Sequence, residues 1–151
     1  MGIELIDYKD RGFEISDFFM PLALYYINEE LRKEPYIFTN KYSLEEYHKS
    51  VTKGHMVGWF AFLWDSYIVN PFEEQTMIDI LQTVKTIIHG KGSYISVTEL
   101  QTIPTEDPDF KTFFEQPILT AELIKIFDAL IQLLQGTWNY TKYDLDSDIK
   151  Y

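Results

Sequence analysis

A chain of 151 residues falls within the size range of one domain and can bury roughly two thirds of the surface its unfolded form exposes. Its composition, 46% hydrophobic and 17% aromatic with eleven Tyr and eleven Phe, supplies an aromatic-rich core and argues against disorder. Twenty-four acidic against thirteen basic residues leave a net charge of −11, which disfavours nucleic acid or an anionic membrane as ligand; the absence of cysteine removes disulfides, thiolate metal sites and a cysteine nucleophile.

Residues 1–15 open with the apolar Ile3, Leu5 and Ile6 and turn polar through Asp10, Arg11 and Gly12, predicting an extended arm or a short strand. The first charges are Glu4, Asp7 and Asp10, with no basic region ahead of an apolar core, so the expected location is the cytoplasm. Ser16 or Asp17 is placed to cap a helix that runs to about Lys33, its regular part starting near Met20 because Pro21 fits only a first turn. Pro35 ends it. Ser43 and Glu46 form a capping box, predicting a short helix over Leu44 to Val51 closed by Gly54.

Met56 to Val69 shows neither clean period, and its length favours helix. Its apolar run, Met56 to Trp64, is far below the ~20 residues that a membrane-spanning helix needs. Asn70-Pro71 then reads as a cap with Pro at the first helical position, and Met77, Ile80, Leu81, Val84, Ile87 and Ile88 recur on one helical face before Gly90 and Gly92. Tyr94 to Val97 fits a strand, while Ser96 or Thr98 fits the cap of a helical turn through Leu100. Pro104 to Pro108 reads as a loop, and Asp109 to Phe114 as a helical turn inserting Phe110, Phe113 and Phe114 into the core.

The run from Ile118 to Gln135 leaves only a narrow polar stripe of Glu122, Lys125, Asp128, Gln132 and Gln135, the pattern of a buried helix, with Thr120 as its cap and Gly136 as its stop. The expected fold is mainly α: a single-domain helical bundle over residues 1–151 around this buried C-terminal helix, frayed from Asp144 onward. The alternative is α+β, with short strands near 3–8, 94–98 and 137–143.

No catalytic motif emerges. His48, His55 and His89 have no ligand-pair spacing, so a metal-dependent hydrolase using His48 and His55 ranks last. Asp144, Asp146 and Asp148 resemble the start of a calcium loop but lack its Gly and its bidentate Glu. Gly92-Ser93 lacks the flanks of a nucleophile elbow, and paired glutamates such as Glu73-Glu74 point apart on a helix. No cofactor and no metal are expected.

Charge placement is more informative. Residues 99–136 hold seven acidic and two basic residues, and within them Glu99, Glu106, Asp107, Asp109 and Glu115 face a single Lys111 beside aromatic side chains. Carboxylates next to aromatics can steer and then anchor a basic protein. The first expectation is therefore an acidic non-enzymatic binding protein that neutralises a basic partner, such as a toxin immunity protein or protein inhibitor, through Glu99, Glu106, Asp107, Asp109, Phe110 and Glu115. The alternative is a small-ligand-binding helical domain with an aromatic internal pocket lined by Trp59, Phe62, Trp64 and Tyr67.

Overall fold

A hairpin begins the chain in the computed structural model, which describes residues 3–54 and 62–140. Strand β1 (Ile3–Tyr8) pairs antiparallel with β2 (Arg11–Ser16), setting Ile6 opposite Phe13. Lys9 and Asp10 join them with φ of 48° and 66°, the paired positive values of a two-residue turn that follows strand twist. The expected arm or strand is thus two strands. Ile6, Tyr8, Phe13 and Ile15 bury one face, and the Trp138 ring lies 5.4 Å from that of Phe13. A Cβ at Gly12 would lie 2.1 Å from the Ile6 carbonyl oxygen, so only glycine fits. The Trp138 indole donates to the Gly12 carbonyl at 2.9 Å and Gly12 N–H to the Tyr140 carbonyl at 3.1 Å. Residues 137–140 therefore dock on the hairpin without forming the alternative strand; 141–143 and the acidic tail lie outside the described residues.

Helix α1 (Phe19–Leu31) holds Pro21 in its first turn, where the missing N–H leaves no bond unmade. Ser16 accepts the Phe18 N–H ahead of the helix instead of capping it. Helix α2 (Lys41–Lys53) starts a turn earlier than the capping box implies, from Asn40, and ends at Gly54 as expected. Of residues 56–69, only α3 (Trp64–Tyr67) is helical among those described, and 56–61 lie outside them. Helix α4 (Pro71–His89) follows the sequence closely: Asn70 accepts the Glu73 N–H at 2.9 Å, and Met77, Ile80, Leu81, Val84 and Ile88 are buried. Ile87 is exposed, against expectation.

Both readings of residues 94–103 hold in succession. β3 (Tyr94–Ile95) is a strand, and Ser96 then caps α5 (Val97–Gln101). After α6 (Pro108–Phe113), β4 (Ile118–Leu119) pairs antiparallel with β3. Helix α7 (Thr120–Gln135) buries Leu123, Ile126, Phe127, Leu130 and Leu134, keeps its polar stripe outward and ends at Gly136. Thr120 is its first residue and not its cap: its hydroxyl donates to the Gly92 carbonyl at 2.8 Å. Glu122 pairs with Lys125 along the stripe, and Asp128 reaches Lys85 of α4. α7 packs on α4 and α1, and α1 packs on α2. The architecture is mainly helical with two short two-stranded ladders. No helix among the described residues is long and apolar enough to cross a membrane.

Candidate functional site

The acidic segment after α5 is held by contacts that sort its residues into holders and displayers. Glu99 is a holder: its carboxylate accepts the Tyr26 hydroxyl and pairs with Lys91 at 3.0 Å, joining α5 to α1. Phe110 is another. It is 1% exposed and packs on Phe114 with ring centroids 4.7 Å apart, so it anchors α6 in the core and cannot meet a partner while α6 stays folded. Phe114 is buried as expected, but Phe113 is 38% exposed, stacked on Phe18 at 4.5 Å.

Asp107 caps α6 by accepting the Asp109 N–H at 2.9 Å, with Pro108 behind it in the first turn. Glu106 N–H donates to the Lys53 carbonyl at 3.0 Å, laying the segment against the end of α2. Gly54 permits that approach, since its φ is 86° and a Cβ there would meet the Asp107 Cβ at 2.9 Å. Lys111, the segment's one cation, folds back: its ammonium donates to the Ile103 carbonyl at 2.8 Å and to the Gln101 carbonyl. The Gln101 amide returns bonds to the Lys111 and Phe114 carbonyls, both 2.9 Å. Glu106, Asp109 and Glu115 are exposed around this hydrogen-bonded turn.

The aromatic pocket expected from Trp59, Phe62, Trp64 and Tyr67 takes another form. Phe62 and Trp64 are buried with ring centroids 4.7 Å apart and fill core space, and Tyr67, partly buried, lies 5.9 Å from Tyr47; Trp59 lies outside the described residues. Beside them is a polar cluster the sequence did not reveal. His48, fully buried on α2, accepts the Trp64 indole N–H at Nε2 (3.0 Å) and turns Nδ1 to the Asn28 side-chain oxygen at 3.3 Å. Burial pushes its pKa down to about 3, so the ring is neutral with Nδ1 as donor. With both nitrogens committed, His48 is a structural link between α1, α2 and α3 and has no lone pair left for the hydrolase metal considered above; His55 lies outside the described residues. The available signal was that His48 sits one turn from Leu44 and one before Val51, on the buried face of α2.

Two clefts flank α1. One, of about 320 Å³, lies between α1 and the α4–α5 region and is lined by Tyr25, Tyr26, Glu30, Ile87, Lys91 and Glu99. The other, of about 290 Å³, lies between α1 and α2 and includes Asn28, Arg32, Glu45, Lys49 and Pro104. In the first cleft the charged groups are mutually engaged: Tyr36 and Lys33 both donate to Glu30, at 2.6 and 2.9 Å, as Tyr26 and Lys91 do to Glu99. Burial, then the hydrogen bond to Glu99, raises the Tyr26 pKa well above its ordinary value, which makes it a donor and not a base. Burial pushes the Glu30 carboxyl up, but the bonds from Tyr36 and Lys33 outweigh it and leave the pKa lowered.

A third polar node is Glu73, 3% exposed at the start of α4. One carboxylate oxygen accepts the Thr39 N–H at 3.0 Å and hydroxyl at 2.7 Å, the other the Val69 N–H at 3.2 Å, and the Asn70 amide adds a bond of 3.3 Å. These bonds outweigh desolvation and lower its pKa. Among the described residues, no group of three or more His, Cys, Asp and Glu side chains is arranged to hold a metal ion. No family model, curated protein or solved structure matches the chain.

Proposed function

We propose that the protein is an acidic, non-enzymatic binding protein that neutralises a basic protein partner, in the manner of a toxin immunity protein or other protein inhibitor. The observation that carries this reading is the inward turn of Lys111 onto the Gln101 and Ile103 carbonyls. The segment's one cation is spent on its own backbone, and Asp109 and Glu115 stand exposed around it with Asp107 half-buried beside them. Carboxylates held on a hydrogen-bonded turn present a fixed negative potential, which favours fast, oriented encounter with a basic surface such as the substrate groove of a nuclease. Glu99 and Phe110 position this surface instead of belonging to it, and α1, α4 and α7 serve as the helical bundle that holds it still. On this reading the protein acts in the cytoplasm, with neither nucleic acid nor membrane as its partner.

The test uses E106Q/D107N/D109N/E115Q, which removes four charges while Asn keeps the cap of α6. Immobilised wild-type protein should capture a basic protein from the source lysate at low salt and release it at high salt, and the variant should capture at least about tenfold less. Equal capture of the same protein by both would end the reading. A second reading, small-ligand binding, is favoured by the cleft beside Tyr25 and Tyr26, whose volume of about 320 Å³ falls at the lower end of ligand pockets. Native mass spectrometry showing a co-purifying small molecule, lost on Tyr26→Ala, would support it over the first.

A further inference from the structure

The three most exposed large apolar side chains among the described residues are Tyr42 at 75%, Ile37 at 71% and Phe72 at 70%, and Val69 beside them is 51% exposed. They come from two segments far apart in sequence, 37–42 and 69–72, which the buried Glu73 carboxylate ties together through Thr39 and Val69. Such exposure on segments whose backbone N–H groups, at Thr39 and Val69, both donate to one buried carboxylate lowers the ordering cost that usually opposes association.

Exposed carboxylates lie near this patch, and one neighbouring ammonium is turned inward. Lys41 turns its ammonium onto the Lys33 and Tyr36 carbonyls, at 3.1 and 2.8 Å, and Lys33 pairs with Glu30. Glu34, three residues before Ile37, and Asp79, two helical turns along α4 from Phe72, are exposed. Two copies of this chain would each bring a net charge of −11 to a shared interface, which opposes self-association.

We infer that Ile37, Tyr42, Val69 and Phe72 form a docking surface for a protein element that is apolar at its centre and basic at its rim. The inference rests on the reading that the partner is basic, and adds to it an anchoring surface separate from the acidic segment. Apolar anchors at the centre of an interface, ringed by polar groups, carry most of its binding energy.

The experiment is an amide chemical-shift titration of the full chain with two synthetic helical peptides of equal positive charge. One carries a Leu face between Lys residues, and in the other Ser replaces Leu. The Leu–Lys peptide is expected to shift the amides of residues 37–42 and 69–72 and to bind at least about tenfold more tightly than the Ser–Lys peptide, and I37S/F72S, altering only exposed side chains, should remove about that advantage. Equal affinity for both peptides, or shifts confined to 104–116, would overturn the docking surface while leaving the basic-partner reading intact. Absence of binding by either peptide, or a wild-type dimer in sedimentation that I37S/F72S dissociates, would overturn it too. The capture experiment on the charge-neutralised variant decides the basic-partner reading separately.

Discussion

Glu73 and the acidic segment around α6 put the same functional group to opposite uses. At Glu73 the carboxylate is 3% exposed and takes hydrogen bonds from Thr39, Val69 and Asn70, so its charge is consumed in joining two loops. At Asp109 and Glu115 the side chains are exposed, and the nearby ammonium of Lys111 is directed to carbonyls instead. A carboxylate saturated by donors organises structure and adds little to the outward field; one left in water adds little to stability and much to the potential a partner meets. Residue type alone does not distinguish them.

The comparison can be broken at several strengths. Leu130, fully buried on α7, sets the scale of the scaffold both regions depend on: Leu130→Ala is expected to cost about 2–5 kcal/mol in chemical denaturation. Glu73→Ala removes the acceptor that joins Thr39 to Val69 and should cost about 1–3 kcal/mol, with residues 37–42 losing hydrogen-exchange protection. A change below about 0.5 kcal/mol would place Glu73 in the same class as the surface carboxylates.

His48 sharpens the contrast through pH. Its folded pKa of about 3 lies below the ordinary 6.5, so the unfolded chain takes up a proton that the folded chain refuses. The stability this group contributes is full above pH 6.5 and is lost as pH falls toward 3, at up to about 1.4 kcal/mol per pH unit. Denaturant midpoints between pH 6.5 and 5 should therefore fall in the wild type and run flatter in His48→Gln. Equal slopes would contradict the neutral, buried His48. The smallest effect is expected at the segment itself, where E106Q/D107N/D109N/E115Q should alter stability by no more than about 0.5 kcal/mol. A larger loss would mean that the segment's charges serve the fold.

Helix α4 was legible because its cap, its Pro and its apolar period agree locally, and α7 because its polar stripe is so narrow. Strand β2 was not, since Lys9-Asp10 adopts a hairpin turn without the Asn-Gly or Asp-Gly pair that usually marks one. The start of α2 is hidden in the sequence because Ser43, an apparent cap, sits inside the helix and Asn40 precedes it. In the acidic segment, composition revealed the excess of charge but not its direction. Glu99 meets a Tyr26 hydroxyl 73 residues away, and Thr39 meets Glu73 from 34 residues away; neither pairing has a local signature. Phe110 reads in the sequence both as a core residue of the 109–114 turn and as an aromatic beside acids, and the turn that Asp107 caps puts it in the core.

The measurement closest to the central claim is the salt dependence of the dissociation constant between this protein and its captured basic partner, for the wild type and for E106Q/D107N/D109N/E115Q. The wild-type Kd should rise steeply between about 50 and 500 mM salt, and the variant should start weaker and respond less, because the charges that attract the partner have been removed. Coincident curves for the two proteins would contradict it, showing that the exposed carboxylates around α6 take no part in binding.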